Sequence, residues 1–503
     1  MAVAQAEETN KAMGFLEQMK SFDRPFWFAN LMELVERWSY YGVRAVIALY
    51  IVDAIAHGGL EFTHIQKGTI FMWWAIIQSL LPMFTGGFAD RYGYKKSIAS
   101  ALFISITGYI LMGTQHSFIG FFLGCMLLAT GTAVFKPGVQ GTLVNSTSSK
   151  NSSIGWGLFY MIVNIGGFVG PCFAAYLRVM DWKYVFFASA ALLGLNYLLL
   201  LGYKDIPVKA REKQLTMAGG FEEFIGIIGS SVKNVFEPRL ISFLIIFSGF
   251  WLMFMQLFDI LPNFIDDWVN SSQVLYQVGS SFHIQSWIQM GNAGLNIPPE
   301  QMINLDAGSI VLFMMPIAWM CGRLKPIVSM MIGMIIASLG LVLAGFTQIG
   351  WFCLLGILIF AIGEMASSPK MNEYLGLIAP EGKKGLYMGY ANVPLAFGWG
   401  FGSALGGYFY QNFADKVTLA KRYLGTLGMS PTEIAGIHKE KIMDTLASKL
   451  HCSVPEATRT LWNLNHPQQI WLWFAAIGLT SVACLFVYHL VIEHADKKAF
   501  ARA

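Results

Sequence analysis

The sequence predicts an all-α membrane protein with twelve transmembrane helices in two six-helix bundles. Of its 503 residues, 55% are hydrophobic and only 13% are charged, and the mean hydropathy is +0.52. These values lie well outside those of soluble domains. Apolar stretches of about 20 residues, long enough to cross a membrane as helices, recur along the chain. The stretches are continuous rather than alternating, which argues against a β-barrel.

Twelve such stretches divide evenly about a polar linker. They lie at approximately 26–54, 64–88, 97–114, 117–141, 154–179, 183–202, 240–265, 303–322, 326–347, 351–378, 385–411 and 468–492. The first six form a predicted N-terminal bundle, 26–204, and the last six a C-terminal bundle, 240–492. The linker, 205–239, contains one predicted amphipathic helix, and 412–467 is a predicted helical insertion between spans eleven and twelve.

Basic residues in the short loops predict the orientation of the chain, because Lys and Arg accumulate on the cytoplasmic side. The connection 266–302 has no Lys or Arg and is predicted to lie outside, as is 412–467. The terminal segments, 1–25 and 493–503, fall on the basic side. We therefore expect a multi-pass protein of the plasma membrane, which in a bacterium is the inner membrane, with both termini cytoplasmic. Basic loop residues on that side are Arg91, Lys95, Lys96, Lys150, Lys204, Arg323, Lys325, Lys383 and Lys384.

The first span carries a stripe of ionisable and phenolic side chains. Since a helix turns 100° per residue, they form one narrow face with its two flanks. Each charge at the centre of a membrane helix costs about 2.5–3.5 kcal/mol. The stripe must therefore face the protein interior or a water-filled cavity, with its acids and bases paired. Its members are Glu33, Glu36, Arg37, Tyr40, Tyr41 and Arg44.

Three later spans each contain one polar side chain of interest. Lys136 precedes Pro137, where a broken helix gives the cation access to a cavity. Glu364 lies deep in span ten, and Lys136 is its predicted partner across the two bundles. Asn164 suits either a substrate contact or a hydrogen bond between helices.

These groups suit a short peptide, which carries a carboxylate, an ammonium group and backbone amides. The acids of the stripe, beside its arginine, suit proton coupling because they can gain and lose protons together. The predicted coupling and ion-pair cluster is Glu33, Glu36, Arg37, Lys136 and Glu364. The predicted substrate-binding residues are Tyr40, Tyr41, Arg44, Lys136, Asn164, Trp251 and Glu364.

The string at 33–44, Glu-x-x-Glu-Arg followed by an aromatic residue, Ser, Tyr-Tyr-Gly and Arg, resembles the proton-coupled oligopeptide transporter (POT) family of the major facilitator superfamily. The resemblance implies the major facilitator fold, alternating access and proton-coupled symport of di- and tripeptides, with the same substrate contacts. Further motifs that resemble the family, in the expected order, are GGFADRYGYKK (86–96), FKPG (135–138), FYMIVNIGGFVG (159–170), FW (250–251) and IGEMASSP (362–369).

The chain departs from the family pattern in two spans that contribute to the cavity. Met255 stands in span seven where the family usually has an acid, and Asp259, one turn onward, is a candidate substitute. Span two lacks the usual tyrosines, so that Trp74 and Gln78 are candidate replacements. These changes predict a reshaped pocket.

Two pairs of charged residues are candidates for the cytoplasmic gate. The resemblance implies that Asp90 and Arg91, in the loop after span two, hold neighbouring helices together. Lys370 and Glu373, in span ten, have the i, i+3 spacing of a gate pair or of an interfacial pair.

The expected function is therefore proton-coupled symport of short peptides. The alternatives are the same fold carrying another carboxylate-bearing small solute, drug export, or a non-transporting ligand sensor. We expect no enzyme, because no nucleophile–base set is present, and no metal or organic cofactor, with the proton gradient as the driver. The expected partners are peptide, protons and lipid but no nucleic acid, and the expected assembly is a monomer.

Overall fold

The computed structural model describes residues 15–83, 85, 89, 93–148, 151–205, 236–379, 387 and 390–500. Twelve long helices span these ranges, and nine of the helices described are long and apolar enough to cross a membrane by length and composition. The twelve are α1 (Arg24–Tyr50), α2 (His64–Leu80), α3 (Tyr94–Thr114), α4 (Phe118–Asn145), α5 (Ser152–Met180), α6 (Trp182–Leu201), α7 (Pro238–Phe254), α8 (Pro299–Cys321), α9 (Pro326–Gly345), α10 (Gly350–Ile378), α11 (Asn392–Phe409) and α12 (Gln469–Phe500). The predicted all-α class with twelve helices is confirmed.

Polar caps and prolines determine where many of these helices begin. Asp23 accepts a hydrogen bond from the backbone N–H of Phe26 at the start of α1, and Thr63 forms a capping box with Gln66 at α2. These side chains satisfy N–H groups that a helix leaves free in its first turn. Helices α7, α8 and α9 each begin with proline, whose missing N–H is harmless there.

The helices form two halves, each with its own hydrophobic core. In the first half, α3 packs on α4 and α6, and α1 packs on α5 and α6. In the second half, α9 packs on α10 and α12, and α7 packs on α11 and α12. The main contacts between the halves are α2 with α11 and α5 with α8.

Helices α2 and α11 approach closely because small residues face each other. A Cβ added at Gly68 would lie 2.5 Å from the main-chain oxygen of Ser403. A Cβ added at Gly407 would collide with the main-chain oxygen of His64. Glycine therefore permits the two halves to touch backbone to backbone.

Span seven is not the continuous helix that the sequence predicts over 240–265. After α7, the chain continues through two short helices, Gln256–Asp259 and Leu261–Trp268. Ile260 leaves the helical region at φ −120° and ψ −40°, and Pro262 has no N–H to donate to the preceding turn. The main-chain oxygen of Asp259, at this break, can consequently accept a hydrogen bond from a side chain.

Two helical segments lie on one face of the molecule, together with the loop 51–63. The segment between α7 and α8 forms helices Ser272–Ser281 and Gln285–Asn292. The segment between α11 and α12 forms Lys416–Thr426, Pro431–Ala435, Ile442–Leu450 and Val454–Asn465, and it buries residues in the core of the second half. We call this side the insertion face, and the opposite side, where α1 begins and α12 ends, the terminus face.

Capping boxes start two helices of the insertion 412–467: Ser430 with Glu433 at Pro431–Ala435, and Ser453 with Glu456 at Val454–Asn465. Two other predictions need correction or fall outside the described chain. Helix α12 continues to Phe500, beyond the predicted end at 492. The predicted amphipathic helix of the linker lies outside the described residues.

Candidate functional site

The charged stripe of α1 faces the interior of the first half. Glu33, Glu36 and Arg37 are buried, with 1%, 4% and 5% of their surfaces exposed. The Nε of Arg37 lies 3.2 Å from Oε1 of Glu33, and its Nη2 lies 2.5 Å from Oε2 of Glu36. Oε2 of Glu33 has no hydrogen-bond partner among the described residues. The stripe is therefore a buried cluster of two acids around one base.

The predicted polar residues of spans one and two meet beside this cluster. The Tyr40 hydroxyl donates to Oε1 of Gln78 at 3.0 Å, and the Trp74 indole donates to the same oxygen at 2.5 Å. The Arg37 guanidinium lies 4.9 Å from the Tyr40 ring centroid and 5.6 Å from that of Tyr41. In this conformation Gln78 accepts hydrogen bonds from both Tyr40 and Trp74.

Arg44 forms an ion pair with Asp259 across the two halves. Its guanidinium lies 4.6 Å from the Phe71 ring centroid and 5.3 Å from that of Trp399. The other oxygen of Asp259 accepts from the Trp399 indole at 3.1 Å and from Ser403 Oγ at 2.5 Å. Asp259, predicted as a substitute for the missing span-seven acid, is thus the partner of Arg44. In this conformation Asp259 engages Nη2 of Arg44, whereas Nη1 has no hydrogen-bond partner among the described residues. The predicted substrate contact of Arg44 stays a prediction.

Lys67 lies at the same contact, and the sequence reasoning did not single it out. The side chain is fully buried on α2. Its ammonium donates to the main-chain oxygen of Asp259 at 2.8 Å and to Oδ1 of Asn263 at 2.5 Å. The Asn263 amide in turn donates to the main-chain oxygen of Ala48 at 3.1 Å. A lysine in an otherwise apolar span was the available signal. We call Arg44, Lys67, Asp259 and Asn263 the gate.

Further polar contacts join the halves toward the insertion face. Nε of Arg178, near the end of α5, lies 2.5 Å from Oε1 of Glu300, near the start of α8. Nε2 of His64 lies 3.5 Å from Oδ1 of Asp415. Together with the gate, these contacts close the insertion face.

Lys136 and Glu364 do not form the predicted ion pair. The Lys136 side chain is exposed, and its charged neighbours are Glu33, Glu36 and Arg37 of the α1 cluster. Glu364 instead lies beside Asp306 of α8, close enough for a hydrogen bond when one of the two carboxyl groups is protonated. Here the structure brings together two acids of the second half rather than an acid and a base from different halves.

Asp306 is a second residue that the sequence reasoning missed. Only 3% of its surface is exposed. Its Oδ1 and Oε2 of Glu364 have no hydrogen-bond partner among the described residues. An acid within an apolar span was again the available signal. The pair therefore holds two buried acceptor oxygens that no described residue bonds.

Aromatic side chains of α1 and α5 lie near this acid pair. Tyr41 of α1 and Tyr160 of α5 both lie within electrostatic range of Glu364. The Asn164 amide donates to the main-chain oxygen of Tyr160 at 2.8 Å, within its own helix. The Trp251 indole N–H is buried and has no acceptor in the described part of the chain. The lining therefore offers a cation on the first half and acids on the second.

Of the two predicted gate pairs, one lies within the described residues. Nζ of Lys370 lies 2.6 Å from Oε2 of Glu373, and both residues belong to α10. The pair joins one turn of α10 to the next, as the i, i+3 spacing predicts, and its role at a gate or at the membrane interface stays a prediction. Asp90 and Arg91 lie outside the described residues.

The two bundles, joined across a charged interior, are the architecture of a membrane transporter with alternating access. The sequence model described as "Major Facilitator Superfamily" matches residues 30–291, more than half of the chain. The chain belongs to the Major Facilitator Superfamily, whose members are transporters rather than enzymes.

Two relatives illustrate the range of similar sequences. The uncharacterized transporter YclF of Bacillus subtilis (strain 168) is 24% identical, over 80% of this chain and 90% of its own. The multidrug resistance protein MdtH of Yersinia pestis (strain Pestoides F) is 21% identical, over 85% of this chain and 96% of its own.

Solved structures of POT transporters share the fold. Peptide transporter POT in complex with sulfate is 16% identical with a TM-score of 0.65, covering 96% of both chains. A POT family transporter in complex with a thioalcohol-conjugated peptide is 16% identical with a TM-score of 0.66, covering 95% of this chain and 99% of its own. Another, in complex with 5-aminolevulinic acid, is also 16% identical, with a TM-score of 0.65 and coverage of 95% and 97%. At this identity the likeness establishes the fold.

Proposed function

We propose that this chain is a proton-coupled symporter of short peptides that works by alternating access. One observation carries the proposal. Lys136 lies beside the charged cluster of α1, Tyr41 of the same helix lies within electrostatic range of Glu364, and Glu364 lies beside Asp306 on the second half. A cation and an acid pair on opposite sides of a cavity complement a zwitterion with a carboxylate at one end and an ammonium at the other. The shared fold with POT transporters, one of them solved with a peptide conjugate, supports this reading.

The charges assign an orientation to the bound peptide. Lys136 binds the carboxylate, because Arg44 is engaged by Asp259 in this conformation. The free oxygens of Glu364 and Asp306 accept hydrogen bonds from the ammonium group. The unpaired indole N–H of Trp251 is a donor for a peptide carbonyl.

Proton coupling follows from the position of Lys136 beside the α1 cluster. While Glu33 and Glu36 are both ionised, they attract Lys136 as well as Arg37. Protonation of one acid leaves the Lys136 ammonium less neutralised, so that a substrate carboxylate binds more tightly. By linkage, the bound carboxylate then favours the protonated cluster, and proton and peptide are carried together.

The transport cycle requires the halves to rock about this site. The gate and the Arg178–Glu300 pair join the halves on the insertion face, and we propose that the site opens to the terminus face in this conformation. We place the insertion face outside the plasma membrane, the bacterial inner membrane, and both termini in the cytoplasm, following the basic loops. We further propose that the transporter acts as a monomer.

Uptake of labelled dialanine and trialanine into proteoliposomes tests the proposal. We expect uptake by the wild-type protein, and its loss in Lys136→Gln and in Glu364→Gln, because each change removes the charge that holds one end of the peptide. Lys183→Gln is the matched control, since Lys183 pairs with Asp181 on the exposed surface. Wild-type protein that is folded but takes up neither peptide would contradict the proposal and favour another carboxylate-bearing solute.

A further inference from the structure

Lys67 is a fully buried ammonium group whose direct acceptors are neutral oxygens of the other half. The acceptors are the main-chain oxygen of Asp259 and the side-chain oxygen of Asn263. No carboxylate of the described residues lies in ion-pair contact with it, because Asp259 pairs with Arg44 and Asp267 with Lys416. A buried charge held this way is costly once its partners leave.

The break in span seven supplies these acceptors. The helix Gln256–Asp259 ends where Ile260 departs from helical geometry, and the next helix begins at Leu261. The main-chain oxygen of Asp259 receives no backbone hydrogen bond from the described chain. Lys67 therefore donates to a main-chain oxygen that would accept a backbone N–H if the helix were continuous.

The charges at this contact divide strictly between the halves. Both cations of the gate, Arg44 and Lys67, belong to α1 and α2. The acids within electrostatic range of Lys67 are Asp259, Asp267 and Asp415, all of which follow α7 in the chain. When the halves separate at the insertion face, both cations stay with the first half and these three acids stay with the second.

We propose that Lys67 and Arg44 form a carboxylate-binding site when the insertion face is open. A substrate carboxylate there takes the place that Asp259 and Asn263 occupy in the closed gate. In the closed state Arg44 contacts the carboxylate of Asp259 and Lys67 contacts the main-chain oxygen of the same residue. The two cations therefore lie about one residue apart, within the reach of a single substrate carboxylate. The inference rests on the proposed function, since it makes this site the first contact of a peptide before Lys136 receives its carboxylate. When the insertion face closes, Asp259 replaces the substrate carboxylate at Arg44 and Lys67.

The test compares substrate binding from the two faces. Uptake of labelled dialanine is measured in right-side-out and inside-out membrane vesicles for wild type, Lys67→Met, Lys67→Arg and the surface control Lys183→Met. We expect Lys67→Met to raise KM about tenfold from the insertion face, which corresponds to about 1.4 kcal/mol. We expect no change from the terminus face, and recovery in Lys67→Arg because the cation is restored.

A purely structural role for Lys67 predicts that KM measured from the insertion face does not rise in Lys67→Met. Loss of a contact that only holds the gate closed would favour the open state and leave KM from the insertion face lower or unchanged. That result, or equal rises in KM from both faces, would overturn the proposal.

A second measurement needs no peptide transport. Spin labels at His57→Cys on the first half and Lys449→Cys on the second report the separation of the halves, with the exposed Cys172 and Cys484 replaced by serine. Acetate, compared with chloride at equal ionic strength, should lengthen this distance in wild type but not in Lys67→Met. Absence of the acetate effect in wild type would overturn the carboxylate site. Vesicles that fail to take up dialanine while the acetate effect persists would refute only the proposed function.

Discussion

Adding one methyl group at Gly68 should open the insertion face. The Cβ of Gly68→Ala would lie 2.5 Å from the main-chain oxygen of Ser403 and 3.3 Å from Cα of Gly407. Non-bonded carbon atoms prefer about 3.5–4.0 Å, so that α2 and α11 must move apart by about 1 Å. Overpacking typically costs about 1–3 kcal/mol, and this cost applies only while the halves touch. The ratio of open to closed molecules should therefore rise about 5- to 150-fold.

The distance between spin labels at His57→Cys and Lys449→Cys measures this ratio. Gly194→Ala in α6 is the matched control, because a Cβ there meets nothing within 4 Å. Both substitutions gain the same helix propensity of about 1 kcal/mol, so any difference reports the contact between the halves. Identical distance distributions for the two variants would refute the reasoning that glycine packing holds the insertion face closed.

Three further changes test other contacts. Asp259→Asn leaves Arg44 buried without a counterion, and breaking such a pair costs about 3–5 kcal/mol. The distance between the spin labels should therefore lengthen. An unchanged distance would contradict the role of the gate in holding the insertion face closed. Arg178→Gln removes another ion pair between the halves, but its side chain is 21% exposed, so solvent screening should make the lengthening smaller than in Asp259→Asn. Hydrogen bonds from Ser453 lower the pKa of Glu456. The capping contact between these two residues therefore stabilises the helix Val454–Asn465 fully at pH values above the ordinary glutamate pKa. This stabilisation is lost as the pH falls through the lowered pKa of Glu456. Amide exchange in that first turn, relative to an unstructured peptide, should accelerate on acidification in wild type but not in Glu456→Gln.

Local sequence properties predicted the helices and the face of α1 that turns inward. The cost of a charge in a membrane helix and the 100° turn per residue apply to any single helix. Those two facts are sufficient to place Glu33 and Arg37 in the interior, where the structure has them. Length and hydropathy similarly sufficed for the twelve helices, although not for the break at Ile260, where one unfavourable dihedral interrupts an apolar run.

Partners between helices were the part that sequence reasoning could not supply. Arg44 and Lys136 both looked free to bind a carboxylate, but Arg44 is paired with Asp259 from the other half. Glu364 lies against Asp306, which is distant in sequence. Such pairs depend on how two halves are rotated against each other, and therefore on the state of the transporter, which no periodicity within one helix records.

Proton-driven accumulation of labelled dialanine in proteoliposomes tests the central claim most directly, with wild type compared to Glu33→Gln. The account predicts that an inward proton gradient concentrates the peptide above its external level in wild type. In Glu33→Gln, exchange of labelled for unlabelled peptide should persist, while accumulation is lost, because the cluster no longer exchanges its proton. Accumulation that is equal in both proteins, or wild-type exchange that ignores the gradient, would contradict proton–peptide coupling through the α1 cluster.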